Sequence, residues 1–433
     1  MLEPPVVQTD MPAEPAAKVP PRWIVFFSLA VAATFVGWFG PLQILLARQA
    51  EAISPGGKEN LLALVAGLGA AFSMVANPLW GALSDRTTSR WGKRIPWVAA
   101  GAVLGAASLL LLGTASSVWL LIAGWCLVQT VLNAPYAALS AAIPDQVPVA
   151  QRGAAGGYFG FAQIFGVMLG TGLAVAGISL IGGTFGGYLM CAIFVLVAWV
   201  PYAALRRDTV MARSERNSLN WGVGPEGRGA GEALGVFLRG FWLSPRRYPD
   251  FAWAWMTRFL INLGNAIALL YLLFFLKDEV GVEDPEGGVL ILTVTNAFTI
   301  LAAVMVAGVW SDRVGKRRVF VLWSGIVMGV AALMLAVSPT WPVVMVAAAI
   351  LGIGFGAYTS VDFALLTQVL PAAGDRGKDL GVLNIASALP QVLAPVVAAP
   401  IVTSLGGYST LYVVSAVVGL AGAVFVYRIR SVK

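Results

Sequence analysis

The sequence predicts an all-α membrane protein in which twelve transmembrane helices form two pseudo-symmetric six-helix bundles. Three observations lead there. Of its 433 residues, 58% are hydrophobic and only 11% are charged. The apolar residues fall into runs near the ~20 needed to cross a bilayer. A basic loop motif also recurs once, about half a chain length later.

Composition comes first. A soluble domain needs far more charge than 11% to cover its surface. The formal net charge of +7 sits in short loops between apolar runs, which is the pattern of membrane orientation. The expected surroundings are a lipid bilayer, with no nucleic-acid partner and a monomeric state. Cys126 and Cys191 both fall inside apolar runs and predict no disulfide. Histidine is absent, which removes the commonest metal ligand and the usual general base. No metal is expected, and no cofactor beyond a proton or monovalent cation as coupling ion.

Residues 1–22 are polar and rich in proline and alanine, as in a disordered tail. The apolar run after Arg22 continues to Ala47, too long for the core of a cleaved signal peptide. It therefore predicts a retained first helix. The twelve expected spans lie near 23–46, 60–83, 97–115, 117–143, 154–181, 185–205, 251–276, 288–310, 319–338, 341–369, 380–404 and 407–428. With this count, 24 of the 28 lysines and arginines fall on one side. Arg48, Lys58 and Lys277 fall on the other, and Arg258 lies inside a helix. The positive-inside rule then predicts a multi-pass inner-membrane protein with both termini in the cytoplasm.

The two-bundle organisation rests on repeats. Gly81-Ala-Leu-Ser-Asp85-Arg86 follows the second span and Gly308-Val-Trp-Ser-Asp312-Arg313 the eighth, 227 residues later. Arg152-Gly153 precedes the fifth span and Arg376-Gly377 the eleventh, 224 residues later. One six-helix unit used twice accounts for both spacings. The bundles are thus expected over 23–205 and 251–428. The polar, Gly-rich segment 206–249 joins them as a cytoplasmic linker. Within it, residues 232–243 read either as a surface amphipathic helix or as plain flexible chain.

The loop Gly81-Ala-Leu-Ser-Asp-Arg-Thr-Thr-Ser-Arg-Trp-Gly92-Lys93-Arg94 resembles the loop signature of the major facilitator superfamily, and its second copy ends in Gly315-Lys316-Arg317-Arg318. The resemblance implies the major facilitator fold and a secondary transporter working by alternating access. The stretch Ser84–Trp97 is similar to sucrose carriers and other glycoside–cation symporters, as are Gly40-Pro41-Leu42-Gln43 and Asn133-Ala-Pro135-Tyr136. Where sucrose carriers have an arginine and an aspartate in that last motif, this chain has Ala137 and Ala142. A cytoplasmic gate is expected from Gly81, Asp85, Arg86, Lys93, Arg94, Asp145, Arg152, Gly308, Asp312, Arg313 and Arg376. Gly81 and Gly308 permit close helix packing, and the carboxylates hold the arginines.

Arg258 and Asp362 are the ionisable Lys, Arg, Asp or Glu residues that lie well inside the spans. A charge at such depth faces a cavity or a partner. Each lies eight residues from the same membrane face, about 12 Å deep at the helical rise. They are therefore expected to form an ion pair that works in coupling, with a static structural pair and snorkelling of Arg258 as the alternatives.

Polar and aromatic residues at helical spacing are the candidate substrate-binding groups. They are Trp38 and Gln43 on the first span; Trp125, Gln129, Asn133 and Tyr136 on the fourth; and Asn262 and Asn265 on the seventh. Tyr358 on the tenth and Asn384 and Gln391 on the eleventh complete the set. Amides and rings suit a neutral, hydroxyl-rich ligand, yet asparagine and glutamine also join helices to each other. Gly153, Gly157; Gly156, Gly160; Gly166, Gly170; and Gly352, Gly356 read as tight helix-packing pairs.

The functional expectation is a secondary transporter of a small solute, in the sugar or glycoside class by resemblance, driven by a proton or cation gradient. Efflux of an amphipathic metabolite or drug is the alternative within transport. A non-transporting membrane sensor or scaffold is the alternative of another class. A membrane enzyme would need a histidine, cysteine or carboxylate set at one face, which the sequence does not offer.

Overall fold

The computed structural model describes residues 18–205, 208, 248–314, 316–369 and 376–430. The predicted surface segment 232–243 and most of the tail and linker lie outside these residues. The described residues are helical, with no strand among them.

The passes are α1 (Pro21–Ile53), α2 (Lys58–Asp85), α3 (Ile95–Gly113), α4 (Val118–Gln146), α5 (Val149–Gly177) and α6 (Gly183–Ala198). The second set is α7 (Pro249–Leu270, continued by Leu272–Val280 after a 47° bend), α8 (Pro285–Val314), α9 (Arg317–Val337), α10 (Trp341–Val369), α11 (Arg376–Ser404) and α12 (Gly407–Phe425). Among the described residues ten helical stretches are long and apolar enough to span a membrane, and the bent α7 makes eleven. One stretch, Gln151–Ala204, is 54 residues long, about 80 Å at the helical rise and far more than one bilayer. It holds two passes, α5 and α6, packed so closely that a side chain on Gly177 would strike the Gly186 carbonyl. The described residues therefore hold twelve passes.

The internal repeat is visible in the packing. In the first half, α1 packs on α5 and α6, α2 on α4, and α3 on α4 and α6. Each pair recurs six helices later: α7 on α11 and α12, α8 on α10, and α9 on α10 and α12. The contacts between halves, α2 with α11 and α5 with α8, are related by the same shift.

Two expectations change in the structure. The first helix does not stop near 46. It passes through a π-helical turn at Pro41–Leu45 and runs on to Ile53, carrying Arg48 and Glu51. Arg48 pairs with Glu286 of the other half, and Glu51 pairs with Lys277 of the other half and Lys58 of its own. The glycines also divide. Gly166 and Gly170 seat α5 against Ala32 and Val36 of α1, and Gly356 seats α10 against the Ile300 carbonyl of α8. Gly81, Gly153, Gly156, Gly157 and Gly160 instead meet no atom within 4 Å of an added Cβ, and Gly308 has only Ser360 at 3.8 Å.

One end of the bundle, the tail end, carries residues 18 and 430 and the basic loops, and the far end is opposite. A Cβ on Gly67 of α2 would lie 3.6 Å from Pro395 of α11, and one on Gly172 of α5 3.7 Å from Leu290 of α8. Further toward the tail end, Gly81 on α2 and Gly153 to Gly160 on α5 face open space. Among the described residues, these contacts between the halves lie nearer the far end than the open glycines do.

Candidate functional site

The deepest charges meet. Arg258 on α7 and Asp362 on α10 form an ion pair, Nη1 to Oδ2, at 2.8 Å. The Arg258 Nε donates to Ser387 Oγ on α11 at 2.7 Å. The second Asp362 oxygen accepts from the Tyr358 hydroxyl at 3.0 Å. Asn262 donates to the Arg258 carbonyl at 2.8 Å. One guanidinium thus ties α7, α10 and α11 together, and both carboxylate oxygens of the 8%-exposed Asp362 are occupied. Such burial is tolerable only because each charge has a partner.

The corresponding part of the first half is aromatic and neutral. Trp38 of α1 and Tyr136 of α4 meet edge to face with ring centroids 5.5 Å apart. Phe35 and Phe159 flank Tyr136 at 5.9 and 6.0 Å. The Trp38 indole N–H is buried without a partner. Gln43 lies half-buried in the π-helical turn that Pro41 opens.

Other residues of the predicted stripes have structural neighbours. Asn133 donates to Ser73 Oγ and to the Gln129 carbonyl, both at 2.7 Å, and accepts from Asn77 at 3.0 Å. It fastens α4 to α2. Trp125 is fully buried, and a side chain on Gly69 of α2 would collide with its ring. Asn265 lines a cavity of about 10 Å³ with Gly264, Met328, Gly329, Leu351 and Ser415, inside the second bundle. Gln391 is exposed. The Asn384 side chain lies outside the described residues. Ser73 and Asn77 were missing from the predicted site set, although they stand i, i+4 on α2 and that spacing was readable.

At the tail end, Arg94 is 3% exposed and gathers the loop motif. Its guanidinium pairs with Asp85 at 2.6 Å and Asp145 at 2.8 Å and donates to Ser84 at 2.7 Å. Lys93 pairs with Asp145 at 3.2 Å. Burial by itself would lower the Arg94 pKa; Asp145 and then Asp85 outweigh it and hold the group above its ordinary range. Asp208 accepts the backbone N–H groups of Arg94 (2.5 Å) and Ile95 (2.8 Å), capping the start of α3. Arg152 donates to the Pro144 and Val147 carbonyls at the end of α4. These described bonds stay within the first half. Arg86 is half-buried and Arg313 exposed. Asp312 and Arg376 lie in α8 and α11, with side chains outside the described residues.

The model of the Major Facilitator Superfamily matches residues 23–305 and 254–433, the whole of both halves. The chain belongs to the major facilitator superfamily. Solved structures agree on the fold of this major facilitator protein. The nucleoside transporter NupG is 12% identical with a TM-score of 0.70, covering 94% of this chain and 99% of its own. A peptide transporter, POT, in complex with sulfate is 14% identical with a TM-score of 0.73, covering 94% of each chain. A POT family transporter in complex with 5-aminolevulinic acid gives 12% and 0.71, covering 94% of this chain and 96% of its own. Among curated proteins, Myo-inositol transporter 3C of Cryptococcus neoformans var. grubii is 28% identical over 178 residues. That match spans 38% of this chain and 30% of the relative's length. This major facilitator protein is a membrane transporter, and its family is not one of enzymes.

Proposed function

We propose that this major facilitator protein moves a small, neutral, hydroxyl-rich solute of the sugar or polyol class by alternating access, coupled to a proton or cation gradient. The Arg258–Asp362 pair is the observation that carries this reading. Protonating Asp362 cancels its charge, releases Arg258 toward Ser387 alone, and loosens α10 from α7. That changes the relative stability of two packings of the second half, which is what coupling requires. The Trp38–Tyr136 rings supply an apolar face suited to stacking on a sugar or polyol ring. The similarity to an inositol transporter points to the same ligand class. The open space beside Gly81 and Gly153 to Gly160 supports a crevice that reaches the tail end. The basic loops orient that end toward the cytoplasm of an inner membrane.

The test is transport in proteoliposomes with a pH gradient and labelled polyols and disaccharides. Asp362→Asn is expected to abolish uphill accumulation while leaving counterflow exchange near wild type. Unchanged uphill accumulation in that variant removes the coupling role. If no polyol or sugar moves and the protein instead confers resistance to amphipathic compounds, efflux replaces uptake.

A further inference from the structure

A set of hydrogen bonds and ion pairs joins the two halves at the far end. Lys58, the first residue of α2, sends its ammonium to Asp278 on the second half at 2.7 Å and to Glu51 on its own half at 3.1 Å. It also stands 4.8 Å over the Phe274 ring. Lys277 of the second half pairs with Glu51 of the first at 2.7 Å. Arg48 pairs with Glu286 across the same seam. The Tyr408 hydroxyl lies 3.3 Å from Glu59 and 3.1 Å from Asp278, and Tyr271 donates to the Glu59 carbonyl at 3.0 Å.

The three bases here, Arg48, Lys58 and Lys277, are the three that fall on the side the positive-inside rule leaves poor in charge. Orientation gives no reason for them, yet each one pairs with a carboxylate across the seam.

We propose that these residues form an ionic lock that holds the far end shut, with Lys58 as its pin. The inference rests on the alternating-access reading and adds which contacts must break for the far end to open. Exposure decides which pair matters. The Lys277 side chain is 49% exposed and the Arg48 side chain 34%, so water screens both pairs. The Lys58 side chain is 11% exposed. Removing it leaves Asp278 without its cation, next to Glu59, which shares the Tyr408 hydroxyl with it, and Glu51, which Lys277 alone then serves, so like charges push the halves apart. Lys58 also grips both halves at once, through Glu51 and Asp278, whereas Arg48 and Lys277 each make a single described pair.

Distances between spin labels at Ala52→Cys and Glu283→Cys, both exposed at the far end, test this in lipid nanodiscs; Cys126 and Cys191 are buried. K58M is expected to raise the long-distance population by on the order of tenfold. K277M is expected to shift it slightly, and less in high salt. The exchanged pair K58D with D278K is expected to return the short distance. D278N, which keeps Lys58 paired to Glu51, serves if K58M does not fold, and it too is expected to lengthen the distance. A folded K58M or D278N whose distances match the unsubstituted pair overturns the lock. The measurement needs no substrate. Longer distances with no coupled uptake of any solute therefore sink the coupling reading alone, and coupled uptake with unchanged distances sinks the lock alone.

Discussion

The two halves share one helix plan and differ at its centre. The repeat spacing of 224 to 227 residues sets Arg258 against residues 31–34 and Asp362 against residues 135–138. There the first half has Val31, Ala32, Ala33 and Thr34, and Pro135, Tyr136, Ala137 and Ala138. Where the second half ties α7 to α10 with an ion pair, the first sets Trp38 of α1 on Tyr136 of α4. Polar cohesion in the first half comes from Asn133, Ser73 and Asn77, which join α4 to α2. A duplicated scaffold has thus kept its packing and divided its chemistry: neutral groups in one half, one titratable pair in the other. A neutral hydrogen bond does not change with a proton gradient, and a buried carboxylate does.

The largest effect that sharpens this contrast comes from Asp362→Ala, which strands Arg258 inside the second bundle. It is expected to cost about 3–5 kcal/mol and to lower the melting temperature of the purified protein. Adding Arg258→Met should recover most of that loss. If the double variant is as unstable as the sum of the two singles, the residues do not act as a unit.

Asn133→Ala is the matched change in the first half. It leaves Asn77 and Ser73 without their partner, an expected loss of about 1–3 kcal/mol. Transport that stays coupled to the gradient would sharpen the contrast, and loss of coupling at normal stability would break it.

The glycines offer a comparison within the first half. A Cβ on Gly170 would come 2.9 Å from Val36 Cα, so Gly170→Ala is expected to destabilise by about 1–3 kcal/mol. Gly156 faces open space, and Gly156→Ala should stay within about 0.5 kcal/mol of wild type in the same melting assay. A slowed transport cycle in Gly156→Ala at unchanged stability would mark that surface as one that closes. Equal destabilisation by both changes would mean that Gly156 does not face open space.

Much of this was legible in the chain itself. The helices followed from apolar runs, because a membrane span is a local requirement on length and composition. The repeat followed from the spacing of Gly81 and Gly308. The Arg258–Asp362 pair followed from equal depth, because two buried charges of opposite sign have few other partners. The Asn133 contacts were harder, since an amide stripe reads equally well as ligand-facing or helix-joining. Asp208 gave no signal: an aspartate after the sixth span has no marked spacing to the loop it caps.

The sequence by itself determined twelve spans, their duplication and where charge lies in depth, since each depends on neighbours along the chain or on the cost of leaving water. Only the tertiary structure decided which residues meet across the two halves. Lys58 and Asp278 are 220 residues apart and Arg48 and Glu286 238 apart. No local pattern registers such pairs, because they form only when the two bundles pack against each other. The same packing sets an added Cβ on Gly67 3.6 Å from Pro395 and leaves Gly81 and Gly156 facing open space among the described residues.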